Sequence, residues 1–273
     1  MLVLKKHHIT DLYVWTDELL PKHEKSGSGR PKLLSPSEVI TILIWNGLTG
    51  RSKTLKDIYR SLLLYHQDDF PSLPKYKRFV ENCHEVLPDL LFILNQILAG
   101  DSAVKIMDST MLEVCKLVRA DIHKTCKNIA QFGKNHQGWH YGFKLHASVN
   151  LSGQLGKIFI TPANFHDAQA MPNILNEKTI LAVGDGGYTA SVMKKYIFEN
   201  YGTIVVSPPH PKQNKKLLTL WQYKLLKVRP KIESVFDYLK EHMNLVSSFP
   251  RSVMGYLLHY IRIVLAYQVM AII

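Results

Sequence analysis

Cysteine is scarce in this sequence, whose 273 residues include only Cys83, Cys115 and Cys126. A small, odd number of cysteines provides no disulfide framework and is typical of proteins in a reducing compartment. The amino-terminal stretch MLVLKKHHITDLYVW also lacks the apolar core of a signal peptide. We therefore expect a cytoplasmic protein without structural disulfides.

Acidic residues are few relative to basic ones: 22 Asp and Glu stand against 34 Lys and Arg, which gives a formal net charge of +12. Such an excess favours a polyanionic partner, nucleic acid before an anionic membrane surface. A cationic but otherwise ordinary soluble protein is the alternative, and charge alone does not decide between the two.

Long uninterrupted apolar runs are also missing. The most apolar stretch, residues 252–273, is interrupted by His259, Arg262, Tyr267 and Gln268. A helix that crosses a membrane needs about 20 predominantly apolar residues with few or no charges. We predict a buried or amphipathic core helix here and no membrane partner.

The first hundred residues predict helices and no strands. The apolar spacing and the capping residues indicate helices at residues 1–22, 34–47, 54–65, 75–86 and 87–98. Lys75, Lys77 and Arg78 lie on the first turns of the fourth, so that three short helices with a basic last one resemble a helix-turn-helix unit. We predict a helical DNA-binding region at residues 1–100, with a plain helical bundle as the alternative. The triplet Gly29-Arg30-Pro31 resembles the core of an AT-hook, although a simple linker is favoured.

From residue 101 onward, strands alternate with helices, which is typical of the α/β class. Strands are predicted at residues 103–108, 141–149, 155–161, 180–184 and 203–207, with helices at 168–176, 190–200, 231–243 and 253–273. We assign residues 101–273 to a second domain with a mixed five-stranded sheet flanked by helices.

Acidic residues follow two of these strands. Asp108 ends the first strand, and Asp185 ends the fourth, directly before Gly186 and Gly187. A carboxylate at the mouth of a strand suits a metal ligand, but Asp185 could equally cap the helix predicted to begin near Thr189. On this stretch alone, both interpretations stay open.

Five motifs carry a resemblance to a known family. In order they are Met107-Asp-Ser-Thr110, Tyr141-Gly-Phe-Lys-Leu-His146, Thr161-Pro-Ala-Asn-Phe-His-Asp167, Gly184-Asp-Gly-Gly-Tyr188 and Arg229-x-x-x-Glu233. Together they resemble the DDE transposases of bacterial insertion sequences, nearest to the insertion-sequence 982 family, over most of the chain. The resemblance implies a ribonuclease-H-like catalytic domain, in which the first and fourth strands lie side by side.

The resemblance also implies a mechanism and its residues. Asp108, Asp185 and Glu233 would be the catalytic triad that holds two Mg²⁺ or Mn²⁺ ions, since oxygen ligands suit these ions. Arg229 and Lys240 would share the helix face of Glu233 and contact DNA. Leu226 stands where the family has a tyrosine, and Gly186 where it has Lys or Ser; neither change removes a ligand.

The implied activity is cleavage at transposon ends followed by strand transfer of the 3′-hydroxyl to target DNA. The implied partners are double-stranded DNA, as terminal inverted repeats and target, and a second copy of the chain on that DNA, in the nucleoid-associated cytoplasm. One alternative is a metal-dependent nuclease of the same fold that joins no strands. Another is an inactivated copy that only binds DNA, which the intact triad argues against.

Other residues have two interpretations each. Lys144 and His146 lie two apart on one strand face and would either approach DNA phosphate or form a solvated face. Asp167 is favoured as a helix cap over a site residue. Trp139 and Trp221 are favoured as core residues over base-stacking ones. The spacing of Cys115, His123, Cys126, His136 and His140 fits none of the usual zinc patterns.

Overall fold

The computed structural model describes residues 9–21, 32–50, 53–135, 137–209, 217–246 and 250–272. The helices are α1 Ile9–Leu19, α2 Pro36–Thr49, α3 Leu55–Tyr65, α4 Tyr76–Glu85, α5 Leu87–Ile97, α6 Asp167–Ile174, α7 Ser191–Tyr201, α8 Leu220–Leu226, α9 Pro230–Asp237 and α10 Val253–Ile272. The strands are β1 Val104–Glu113, β2 Gln131–Asn135, β3 Gly138–Val149, β4 Leu155–Pro162, β5 Leu181–Val183 and β6 Ile204–Val206. The AT-hook-like triplet at residues 29–31 lies outside the described residues.

The chain forms two compact units, a helical one from Met1–Ile97 and Leu239–Ile273, and a sheet-containing one from Leu98–Tyr238. Helices α1–α5 confirm a helical amino-terminal region. The predicted boundary assigns residues 239–273 to the other domain, whereas the structure groups them with the helices. The physical reason is long-range packing of α10 against α2, α4 and α5, which local sequence patterns do not report.

Helix α10 is the central helix of the helical unit. Among the described helices, α10 is the one that is long and apolar enough to cross a membrane by length and composition. However, 72% of its most apolar stretch is buried inside the protein. At Gly47 of α2, an added Cβ would lie 2.5 Å from the Cβ of Ala266, so glycine is needed for the close approach of the two helices. This packing agrees with the predicted buried core helix.

A buried polar group, Arg262 with His259, lies on α10. The guanidinium donates to Asn46 Oδ1 at 3.1 Å and to the Lys53 carbonyl oxygen at 3.2 Å, and its Nη2 lies 3.1 Å from His259 Nδ1. His259 Nε2 lies 3.1 Å from the carbonyl oxygens of Asn244 and Leu245. Burial, reinforced by the charge of Arg262, lowers the pKa of His259 to about 3.

This depressed pKa predicts that acid destabilises the helical unit. Between the ordinary pKa of histidine, about 6.5, and the pKa of about 3 in the folded protein, only the unfolded chain binds this proton. Stability is therefore present above about pH 6.5 and is lost as pH falls, by ~1.4 kcal/mol per pH unit. Urea unfolding between pH 6 and 4 should show this extra slope in the wild type and not in His259→Gln. His84→Gln is the control, and equal slopes in all three proteins would contradict the prediction.

The second unit is built on a mixed six-stranded sheet. Its strand order is β2-β3-β1-β5-β6, with β4 paired to β3. β3 runs antiparallel to β1, β2 and β4, whereas β5 runs parallel to β1 and β6. Helices α6 and α7 bury Met107 in a core with Met171 and Ile197, and α9 packs against β1. A mixed sheet with flanking helices is compatible with an α/β, ribonuclease-H-like fold.

The prediction of five strands is wrong by one. The segment predicted to be irregular contains β2, a short edge strand with the sequence Gln131-Phe-Gly-Lys-Asn135. Of its five residues only Gly133 is buried, so β2 lacks the alternation of buried and exposed side chains that identifies a strand. The prediction that the first and fourth predicted strands are neighbours is confirmed, since β1 pairs with β5.

Candidate active site

Asp108 and Asp185 are brought together by the parallel pairing of β1 and β5. The last paired residues are Ile106 and Val183, and each aspartate lies two residues further along its own strand direction. Because side chains alternate along a strand, the Asp108 side chain lies on the same side of the sheet as that of Ile106. The charge of Asp185 also raises the pKa of Asp108, which indicates that the two groups are close in space.

The environment of Asp108 disfavours its negative charge. Burial is the main cause of a pKa raised to about 7, and the charges of Asp185 and Asp167 act in the same direction. The Ser109 N–H, which donates to Asp108 Oδ1 at 2.7 Å, and the guanidinium of Arg229 act in the opposite direction. This is the electrostatic situation of like-charged carboxylates that share a site, which a bound cation would relieve.

Asp185 also fixes the turn that follows β5. Its Oδ1 accepts a hydrogen bond of 2.9 Å from the Gly187 N–H, which caps the 3₁₀ turn Gly186–Tyr188. The predicted helix after Thr189 begins at Ser191, and Asp185 does not cap it. Glycine is required only at the second position of the pair: a Cβ on Gly187 would lie 3.0 Å from Asp185 Oδ1, whereas nothing lies within 4 Å at Gly186.

Asp167 is a residue at this site that sequence reasoning missed. The predicted cap at Asp167 is wrong, because His166 is the N-cap of α6 and accepts from the Ala168 N–H. Asp167 Oδ1 instead accepts hydrogen bonds from Ser109 Oγ at 2.7 Å and from Lys144 Nζ at 3.1 Å. The register of β1 with β3, in which Ser109 pairs with His146 and Met111 with Lys144, places Ser109 and Lys144 on the same sheet face.

The other carboxylate oxygen of Asp167 faces the turn after β5. A Cβ on Gly187 would lie 2.9 Å from Asp167 Oδ2 and 3.0 Å from Asp185 Oδ1. The two oxygens are therefore at most 5.9 Å apart, the sum of those distances. Asp167 thus forms a three-carboxylate neighbourhood with Asp108 and Asp185.

Lys144 and His146 are both buried, so the interpretation of a solvated strand face is wrong. Lys144 Nζ donates to the Phe165 carbonyl oxygen at 3.0 Å as well as to Asp167. His146 Nδ1 lies 3.5 Å from Asp167 Oδ1, and burial lowers the pKa of this histidine to about 4. Contact of either side chain with a DNA phosphate stays a prediction.

Tyr188 packs beside the three aspartates. Its hydroxyl is buried and has no hydrogen-bond partner within the described segments of the chain. Burial, followed by the charges of Asp167, Asp108 and Asp185, raises its pKa well above the usual value. The phenol therefore stays neutral.

Glu233 lies on α9 and is half-exposed. Its Oε1 is 3.3 Å from Nη2 of Arg229, which directly precedes the helix, as predicted from Pro230. Because α9 packs against β1 and Arg229 acts on the pKa of Asp108, the start of this helix lies near the aspartates. Convergence of the Glu233 carboxylate with them stays a prediction.

Lys240 lies in a π-helical turn, Tyr238–His242, on the helical unit's side of the division between units. The predicted common face with Glu233 requires α-helical spacing over seven residues. A π-helical turn has wider spacing, and the common face of Lys240 with Glu233 stays a prediction.

The three aspartates meet a divalent cation's preference for oxygen ligands, but the site is incomplete as a metal centre. Among the residues that the structure describes, no three His, Cys, Asp or Glu side chains are grouped closely enough to hold a metal ion. The carboxylate of Glu233, the third predicted ligand, is paired with Arg229, and its role as a ligand stays a prediction. The described cysteines and histidines of the zinc interpretation, Cys115, His123, Cys126 and His140, do not form such a group either. His136 lies outside the described residues.

The remaining predicted residues lie at the surface. Lys75, Lys77 and Arg78 are exposed on the helical unit, but Arg78 is already paired with Glu81 and Glu85. Their contact with DNA stays a prediction. The core interpretation is wrong for Trp139 and Trp221, which are 56% and 53% exposed.

Comparison with known protein families identifies a related domain. A family model described as a transposase DDE domain matches residues 99–253, more than half of the chain. This range contains Asp108, Asp167, Asp185 and Glu233. The chain therefore belongs to the DDE transposase family.

Proposed function

We propose that this protein is a DNA transposase of a bacterial insertion sequence, nearest to the insertion-sequence 982 family, with a ribonuclease-H-like catalytic domain. It cuts DNA at the transposon ends and joins the freed 3′-hydroxyl to target DNA. The observation that supports this most is the pairing of Asp108 and Asp185 at the ends of parallel neighbouring strands. Paired carboxylates can hold the divalent cations that cleavage and joining of DNA would use.

The proposed metal ligands are Asp108, Asp185 and Glu233, for Mg²⁺ or Mn²⁺. Two such ions, when bound, would activate water and stabilise the attacking and leaving oxygens of the displacement. The protein's own part is to hold Asp185 rigidly through its bond to Gly187 and to keep Asp108 against the sheet. Both arrangements reduce the reorganisation needed when the DNA binds.

Arg229 is proposed to bind a phosphate next to the scissile bond. Its guanidinium is partly exposed and lies close to Asp108, and its partner in this structure is Glu233. A phosphate can accept both hydrogen bonds of a guanidinium fork, and it would compete with Glu233 for this group. Loss of the Arg229 ion pair would free Glu233 for the metal site. Lys240 is proposed as a further DNA contact.

The helical unit is proposed to recognise the terminal repeats, with Lys75, Lys77 and Arg78 near the DNA backbone. A homodimer would hold two transposon ends, in the nucleoid-associated cytoplasm. The net charge of +12 supports a DNA partner, since phosphate neutralisation dominates such affinity.

The test is incubation of the purified chain with a labelled duplex that carries the inverted repeats flanking its gene, with Mg²⁺ and with EDTA. We expect cleavage and, with added target DNA, joined products on a sequencing gel, both abolished by EDTA. Cleavage without joining would favour the nuclease. Binding without cleavage would favour an inactivated copy.

A further inference from the structure

A cavity of about 610 Å³ in the helical unit is lined by α3, α4 and the start of α10. Its rim carries three exposed cationic side chains, Lys53, Lys56 and Arg251. His84 lies on the wall, and the buried residues His259 and Arg262 line the interior. No Asp or Glu is among the described residues that line this cavity, so its lining is of one charge sign.

The buried charge of Arg262 has no acidic partner among the residues that the structure describes. The side chain is 2% exposed, and its described partners are the amide of Asn46, the carbonyl of Lys53 and the ring of His259, all neutral or held neutral. No carboxylate pairs with it anywhere in the described ranges. A buried ion without a paired opposite charge is costly, so an anion in this cavity would offset that cost.

The three cationic side chains on the rim are also not engaged by described acidic residues. Lys53, Lys56 and Arg251 form no ion pair with a carboxylate of the described residues. Two other basic residues of the same unit are paired with acids: Arg78 with Glu81 and Glu85, and Lys32 with Glu85. A guanidinium and two ammonium groups around one cavity, without an acidic partner in the described segments, form a site for a phosphate group.

We propose that this cavity binds a phosphate, and that in the working protein the phosphate belongs to the DNA backbone. The assignment to DNA rests on the proposed function. It adds a backbone contact of the helical unit at Lys53, Lys56 and Arg251, none of which is paired with an acid of the described residues. The binding is independent of base sequence, because it involves the backbone alone.

The first test uses nonspecific duplex DNA and the full chain, with binding followed by fluorescence anisotropy from 50 to about 200 mM salt. The double variant Lys53→Gln/Arg251→Gln should bind more weakly at every salt concentration. Its slope of log K against log salt should be smaller by about two than that of the wild type. The control is Lys178→Gln/Lys195→Gln, which removes the same charge from lysines paired with Asp101 and Glu199. The control should keep the wild-type slope.

The second test uses inorganic phosphate in place of DNA. At constant ionic strength, phosphate should raise the melting temperature of the wild type and the control above their values in chloride, because a ligand of the folded state stabilises it. The Lys53→Gln/Arg251→Gln protein should lose this shift. This measurement still tests the phosphate site if the wild type binds no DNA, a result that would overturn the proposed function and the assignment to the DNA backbone together.

The proposal is supported if the cavity variant, and not the control, loses the phosphate-induced rise in melting temperature and has the smaller salt slope of DNA binding. A lost phosphate shift with an unchanged DNA slope would overturn the assignment to the DNA backbone. Unchanged phosphate and DNA responses would overturn the site itself.

Discussion

Asp185→Asn should abolish metal-dependent cleavage and leave DNA binding intact. The substitution removes the ligand charge but keeps the shape, and the Asn carbonyl can still accept the Gly187 N–H that Asp185 Oδ1 accepts now. The turn should therefore persist while the charge that would hold the cation is gone. Metal ions contribute several kcal/mol to such reactions, so we expect a loss on the order of 10³-fold or more.

The measurement is single-turnover cleavage of pre-bound terminal-repeat DNA, with affinity followed by anisotropy. Asp108→Asn should behave in the same way. Asp121→Asn, at an exposed position of the same unit, is the matched control and should cleave like the wild type. A wild-type rate in Asp185→Asn would reduce Asp185 to a cap of the turn Gly186–Tyr188.

Asp167→Asn should slow cleavage by roughly 10–100-fold, the usual cost of losing a group that orients metal ligands. Its Oδ2 faces Gly187 and Asp185, and its charge acts on Asp108. The substitution should also destabilise the protein, because Lys144 would keep a buried charge without its carboxylate partner. Breaking a buried ion pair by removing one partner typically lowers the free energy of unfolding by ~3–5 kcal/mol. Since Asp167 is partly exposed, we expect a loss toward the lower end of that range.

A double-mutant cycle separates the two effects. Lys144→Met should relieve the unpaired charge, so Asp167→Asn/Lys144→Met should regain part of the lost stability. Cleavage and Mn²⁺ affinity, measured by calorimetry, should stay low in the double variant if Asp167 acts on the acid pair. Recovery of all three quantities together would make Asp167 a structural partner of Lys144 only.

Local patterns identify Asp108 and Asp185 as acids at strand ends, whereas their adjacency was predicted from the resemblance to a fold in which these two strands are neighbours. Two short apolar runs each end in an acid, and parallel pairing brings such ends to one edge of a sheet. Asp167 could not be assigned in this way, since His166 and Asp167 are both good capping residues and the sequence does not say which one caps. The choice is made by Ser109 and Lys144, which are distant in sequence and reach Asp167 only in the folded sheet.

The placement of α10 shows the same limit at a larger scale. Its apolar composition predicted a buried helix, but composition does not identify the partner that buries it. The partners α2, α4 and α5 precede α10 by more than 150 residues in the chain, and close contacts such as that of Gly47 with Ala266 select them. Likewise, β2 is defined by its pairing with β3 rather than by its own alternation.

Because the helical unit contains residues from both sides of Leu98–Tyr238, the sheet-containing unit is an insertion within it. During synthesis, α1–α5 leave the ribosome long before α10. The apolar faces that α10 covers therefore stay unburied until the inserted unit and α10 have been made. Contacts of such large sequence separation slow folding and leave apolar surface exposed to aggregation or chaperones. A fragment cut near residue 100 would have the same exposed faces permanently. A stable fragment of the helical unit would therefore need α10 joined to α1–α5 by a linker that replaces the inserted unit.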